Sequence, residues 1–187
     1  MIQKVLLHFF SFLLSKLSLS SVHFIGIFVG KLYFFFSEKN FKFLRDNIQN
    51  SEIFEHSVIE DAIKENINEL GKGVIETLYL WSSSQDQSLK LIQNIIGEKY
   101  LINAEKRGKG IIFLTPHLGC FEITSIYYGS KKPITVMYRK ARKIWMSDFM
   151  INGRKKGKVK LAPADIKGLK KVLIALKSGE AVGILPD

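Results

Sequence analysis

Residues 1–36 are almost continuously apolar, and the only charges in them are Lys4, Lys16 and Lys31. A bilayer-spanning helix needs about 20 uninterrupted apolar residues. Lys16 instead divides this segment into runs of 11 residues (Val5–Ser15) and 14 residues (Leu17–Gly30). Two arrangements fit. One is a single helix lying in the membrane interface, with its lysines reaching the headgroups. The other is a tilted span from about Leu17 to Phe36. A secretory signal fits less well, because no alanine-type cleavage site follows. A buried core helix is the rival, and the density of Phe favours membrane contact. Residues 1–36 are therefore read as a membrane-associated segment and 37–187 as a second domain.

Past residue 37 the period becomes that of amphipathic helices. Phe41, Leu44, Ile48, Ile59, Ile63, Ile67 and Leu70 recur every three or four positions over 38–70. Gly71 and Gly73 are expected to interrupt the pattern. Val74–Trp81 reads as further helix, 82–84 as a break and 86–96 as a short helix. Then Gly110–Thr115 is a compact run rich in β-branched residues, bounded by Gly110 and Pro116, which reads as a buried strand. Helix is expected over 119–128, strand over Ile134–Tyr138, helix over 144–152 and strand over 159–161. Residues 165–176 read as an amphipathic helix opened by Asp165 and closed by Gly179, and 181–185 as strand. Strands alternating with helices predict an α/β fold, a mixed or parallel sheet flanked by helices.

Charge sharpens this picture. Residues 1–130 hold 13 Lys/Arg against 13 Asp/Glu, whereas residues 131–187 hold 15 against 4, so the whole excess of +11 lies in the last third. Such a surface suits phosphorylated headgroups, an acidic carrier protein or nucleic acid. Aromatic residues are not interleaved with it in a stacking pattern, which argues against nucleic acid. The single Cys120 excludes an internal disulfide and reads as a packing residue. No metal-ligand cluster or phosphate-binding glycine loop is visible. His8, His23 and His56 look incidental.

The chemistry concentrates in Thr115-Pro116-His117-Leu118-Gly119-Cys120-Phe121-Glu122. His117 is placed where a strand ends and a helix begins, the usual site position in open α/β sheets. Glu122 lies about one turn into that helix and could reach back to one imidazole nitrogen, which would fix the tautomer and sharpen the other nitrogen as a base. A substrate hydroxyl would then be the nucleophile. A helix-capping His with a dipole-favoured Glu is the rival for the pair taken alone.

The ordered motifs go further. They are G-x-I-F-L-T-P-H-L-G-x-F-E at 110–122, V-M-Y-R at 136–139, N-G-R at 152–154, D-I-K-G-L-K-K-x-L-x-A-L-K-S-G-E at 165–180 and L-P-D at 185–187, with Arg45-Asp46-Asn47-Ile48 upstream. In this order the sequence resembles the bacterial lipid A late acyltransferases, the lauroyl and myristoyl transferases acting on Kdo-lipid A. The resemblance implies a glycerolipid-acyltransferase-like domain at the cytoplasmic face of the inner membrane. It implies an O-acyltransferase that takes a fatty acyl group from acyl carrier protein to a hydroxyl of a phosphorylated lipid A precursor, with no cofactor. His117 would be the general base and Glu122 its partner. Arg139, Arg154 and Asp187 match positions near the cleft, the arginines suited to phosphate or oxyanion and Asp187 to orienting substrate. A salt bridge rivals each arginine role, and an ordinary strand-end turn rivals that of Asp187. Two alternatives stand beside this reading: another glycolipid or aminolipid acceptor, or a non-catalytic membrane-bound lipid- or carrier-binding module. The family usually continues past L-P-D, so the domain is expected to be incomplete at its carboxyl end.

Overall fold

The computed structural model describes residues 2–186. It divides into two compact units, Lys16–Tyr79 and Met1–Ser15 with Leu80–Asp187. The 36/37 boundary read from hydropathy falls inside the first of these, between two helices.

The apolar amino-terminal segment forms two helices, α1 (Ile2–Leu14) and α2 (Leu19–Phe36). This replaces the single interfacial helix. The break has a local cause: the Ser18 hydroxyl accepts from the Ser21 backbone N–H and opens α2. Among the described residues, α2 is the one helix long and apolar enough to cross a bilayer. Its Phe24, Phe28, Phe35 and Phe36 are exposed.

In the Lys16–Tyr79 unit, α2 and α3 (Glu38–Asn50) join most of α4 (Ile59–Ser82). The helical pattern over 38–70 is split by residues 51–58, and α4 runs unbroken through Gly71 and Gly73. Gly71 does not break the helix because it is where α2 comes closest. A Cβ on Gly26 would stand 2.7 Å from the Lys72 Cα, and one on Gly30 would stand 2.7 Å from the Ile67 carbonyl oxygen. Backbones this close require glycine. His23, set aside as incidental, bonds Glu76 across the same helix pair. Ile59, Ile63 and Ile67 are buried against Phe34, Phe41, Leu44 and Ile48. Arg45 of the R-D-N-I element ion-pairs with Glu60 at 3.0 Å.

The other unit carries α1, the end of α4, α5 (Gln85–Leu89) and α6 (Glu98–Lys106). Its sheet strands are β1 (Ile111–Leu114), β2 (Ile134–Tyr138), β3 (Val159–Pro163) and β4 (Ala181–Ile184). They are parallel throughout, in the order β1-β4-β2-β3. The helix expected over 86–96 ends at Leu89, and α6 follows where none was expected. Between the strands run α7 (Glu122–Lys131), α8 (Ile144–Arg154) and α9 (Ile166–Lys177). Side chains alternate across the sheet. Ile134, Val136, Val159 and Ala181 bury one face with Tyr128 of α7 and Leu101 of α6. Ala162 and Val182 bury the other with Val172 and Ala175 of α9. Asp165 caps α9, its carboxylate accepting from the Gly168 N–H at 2.8 Å.

Candidate active site

The carboxyl end of β1 leads into a loop, residues 115–121, that carries His117. The Thr115 N–H donates to the Ile184 carbonyl at 3.1 Å, which ties the loop's start to the end of β4. Gly119 turns the loop with φ of 59°, in the left-handed region. Its backbone accepts from the Phe121 N–H at 3.2 Å. The Phe121 ring then stands edge-on to the imidazole, with centroids 5.1 Å apart. His117 itself is exposed.

His117 opens into a cleft of about 420 Å³, whose walls include Phe121, Tyr138, Arg139, Met150 and Arg154. Arg139 is exposed and directly follows β2. Three of the residues singled out from sequence, His117, Arg139 and Arg154, therefore share one cleft. Asp187 lies outside the described residues.

Glu122 has a different environment. It is the first residue of α7 and lies on the helix face buried with Ser125, Ile126 and Gly129. Among the described residues its carboxylate is bound by Arg154, whose Nε donates to Oε1 at 2.8 Å and to Oε2 at 3.0 Å. Nη2 also donates to Oε1. The expected reach from Glu122 to the imidazole is thus replaced by a guanidinium fork. The physical reason is the start of α7: beginning at Glu122 rather than 119, it turns the carboxylate into the protein. The side chains are 4% and 13% exposed, so this is a buried ion pair, not the surface salt bridge considered as a rival for Arg154.

Other groups hold the fork in place. The Trp81 ring lies under the Arg154 guanidinium, 5.5 Å from centroid to Cζ. Arg154 Nη1 contacts the Met150 sulfur at 3.4 Å. Gly153 makes room for Trp81, because a Cβ there would fall within 2.6 Å of the indole Cγ. Two residues on, the Lys156 ammonium donates to the carbonyls of Ser83, at 2.6 Å, and Leu80. It thereby satisfies carbonyls where α4 ends. Trp81 and Lys156 were not apparent in the sequence. The first closes an apolar run and the second sits in a lysine-rich stretch, so neither carries a local signal. The N-G-R glycine was the one available hint of a close contact.

Burial lowers the Lys156 pKa to about 8, with Glu122 acting in the opposite sense. Below about pH 8 the folded and unfolded chains both carry this proton, and the burial penalty stands in full. Between about 8 and the ordinary 10.5, the unfolded chain keeps a proton that the folded chain has released. Stability therefore rises with pH across that window. Lys156→Met is expected to flatten that part of the curve, as read by thermal unfolding of both proteins at a series of alkaline pH values.

The sequence profile described as "Bacterial lipid A biosynthesis acyltransferase" matches residues 2–187, essentially the whole chain. The chain belongs to the bacterial lipid A biosynthesis acyltransferase family. A curated relative, the lipid A biosynthesis lauroyltransferase of Escherichia coli (strain K12), is 26% identical over 166 residues. The alignment covers 87% of this chain and 53% of that relative, so the chain spans about half the relative's length. The stretch matched to the family includes the β1–α7 junction and the N-G-R end of α8, the two places that supply His117 and the Glu122–Arg154 fork.

Proposed function

We propose that the chain supplies the acyl-transfer site of a lipid A biosynthesis acyltransferase acting at the cytoplasmic face of the inner membrane. The observation that carries this reading is the exposed His117, which lines the same open cleft as Arg139, in a chain that the family profile matches over residues 2–187. The imidazole takes the proton of a lipid hydroxyl as the oxygen attacks the carbonyl carbon of an acyl carrier protein thioester. The tetrahedral intermediate collapses with cleavage of the C–S bond. The thiolate leaves and recovers the proton from the imidazolium, so the products are a lipid ester and a free carrier thiol. Arg139 is the exposed cation of the cleft, suited to a phosphate of the acceptor or to the developing oxyanion. The buried fork of Arg154 and Glu122 is a positioning device that fixes the start of α7, and with it the loop that presents His117. The exposed apolar residues of α1 and α2 supply membrane contact.

The test is direct. Detergent-solubilised protein is mixed with radiolabelled acyl carrier protein thioester and a Kdo-lipid A precursor. Stoichiometric appearance of acylated lipid and free thiol is expected. Thioester hydrolysis without lipid ester, or no turnover at all, would overturn the proposal.

A further inference from the structure

The Lys16–Tyr79 unit holds a groove of about 410 Å³ at the carboxyl end of α2. Phe34, Phe35, Phe41 and Ile67 form its apolar wall, and Lys31, Glu38 and Lys64 supply its charges. The groove lies where the chain changes character. Leu32-Tyr33-Phe34-Phe35-Phe36 closes α2, whereas the exposed Glu38, Lys39, Asn40 and Lys42 open α3. The 18 residues of α2 extend about 27 Å at the α-helical rise per residue. That is close to the ~30 Å hydrocarbon core of a bilayer. With α2 in a bilayer, the groove therefore stands at headgroup depth, at one end of the span.

The protein itself leaves the charges of this groove poorly matched. Lys31 is the one Lys, Arg, Asp or Glu of α2. Among the described residues, no ion pair joins Lys31 or Glu38. Lys64 is paired with Asp61 at 3.0 Å, but those side chains are 72% and 80% exposed, so the pair contributes little and exchanges readily. An ammonium on an apolar helix has to reach the headgroups. Lys31 precedes the end of α2 by five residues, about 7.5 Å of helical rise, which its four-carbon stem largely spans. A merely solvated surface is the rival, with Glu38 favoured by the amino-terminal end of α3. That accounts for Glu38 alone and leaves Lys31 unmatched beside an apolar wall.

Two cations and one carboxylate beside aromatic rings suit one class of lipid. We propose that this groove binds a phospholipid with a phosphoethanolamine headgroup. The phosphodiester accepts from the Lys31 and Lys64 ammonium groups, the headgroup ammonium donates to Glu38, and the first methylenes of an acyl chain lie along Phe34, Phe35 and Phe41. Phosphatidylglycerol carries no cation for Glu38, and choline has no N–H to donate to it. This rests on the reading that α2 contacts the membrane, and it is independent of the chemistry at His117.

The experiment titrates the detergent-solubilised full chain with short-chain, micelle-free phosphatidylethanolamine, phosphatidylglycerol and phosphatidylcholine of identical acyl chains, and counts bound lipid by native mass spectrometry. One phosphatidylethanolamine per chain is expected, held about fivefold more tightly than the other two, the weight of one exposed charged pair. Lys31→Ala should weaken phosphatidylethanolamine and phosphatidylglycerol alike. Glu38→Gln should abolish the preference for phosphatidylethanolamine while leaving phosphatidylglycerol bound no less tightly, a change of selectivity that loss of folding cannot produce. Equal binding of the three lipids overturns the proposal. So does tighter binding of phosphatidylglycerol by the unaltered chain, or a preference that survives Glu38→Gln. Flotation with vesicles containing phosphatidylethanolamine tests the membrane reading separately. A chain that floats but shows no headgroup preference keeps the membrane contact and loses the site. A chain that selects the short-chain phosphatidylethanolamine but does not float keeps the site and loses the membrane contact.

Discussion

Replacing Arg154 with alanine is expected to destabilise the protein by about 3–5 kcal/mol, because it leaves the Glu122 carboxylate buried without its cation. That is a large share of the roughly 5–15 kcal/mol that holds a typical domain together. The size follows from geometry. Two guanidinium nitrogens engage one carboxylate, and the carboxylate side chain is only 4% exposed. Water cannot take over from a partner removed there. Lysine at 154 keeps the charge but not the fork or the stacking on Trp81, so it should recover only part of the loss. Glu122→Gln should destabilise in the same direction, since it leaves the guanidinium buried without its anion. Combining Arg154→Met with Glu122→Leu is expected to cost much less than the sum of the single changes, because no charge then remains buried. Denaturant unfolding of the double variant beside its two singles measures this coupling. Additive losses would show that the two side chains do not act as a pair.

Substitution of His117 by alanine should behave in the opposite way. His117 is exposed and sits on a loop, so its removal should shift stability by no more than about 0.5 kcal/mol. Acyl transfer should nevertheless fall by about 10²–10⁴-fold, the usual contribution of a positioned general base. The loss should appear in kcat, because proton removal accompanies the chemical step. The two variants therefore separate chemistry from architecture: one loses turnover at constant stability, the other loses stability first. A His117→Ala protein with undiminished turnover would remove His117 from the mechanism.

Much of the sheet was legible because its strands are short and sharply bounded. Gly110 and Pro116 frame β1, and Pro133 and Gly179 precede β2 and β4. The Asp165 cap and the apolar stripe of α9 were equally local. The features that failed are long-range. Gly71 looks like a helix breaker until Gly26 and Gly30 are seen against it. The polar sequence of α6 offers no clear apolar stripe, and it went unread. Glu122 and Arg154 are 32 positions apart, so no spacing rule could pair them. Local logic instead assigned Glu122 to the nearest available base. The residues of the cleft are visible in the sequence, but the wiring behind them is not.

The strand order has a temporal consequence. β4 follows the other strands along the chain yet lies between β1 and β2. As a nascent chain emerges, β2 and β3 can pair while β1 waits, its hydrogen-bonding edge open, until residues 181–184 arrive to bridge them. The loop bearing His117 is anchored to that same late strand through Thr115 and Ile184. The loop that carries His117 is consequently anchored only after β2 and β3 have been made. A chain stopped before residues 181–184, or misfolded there, would thus lack the strand that anchors the His117 loop.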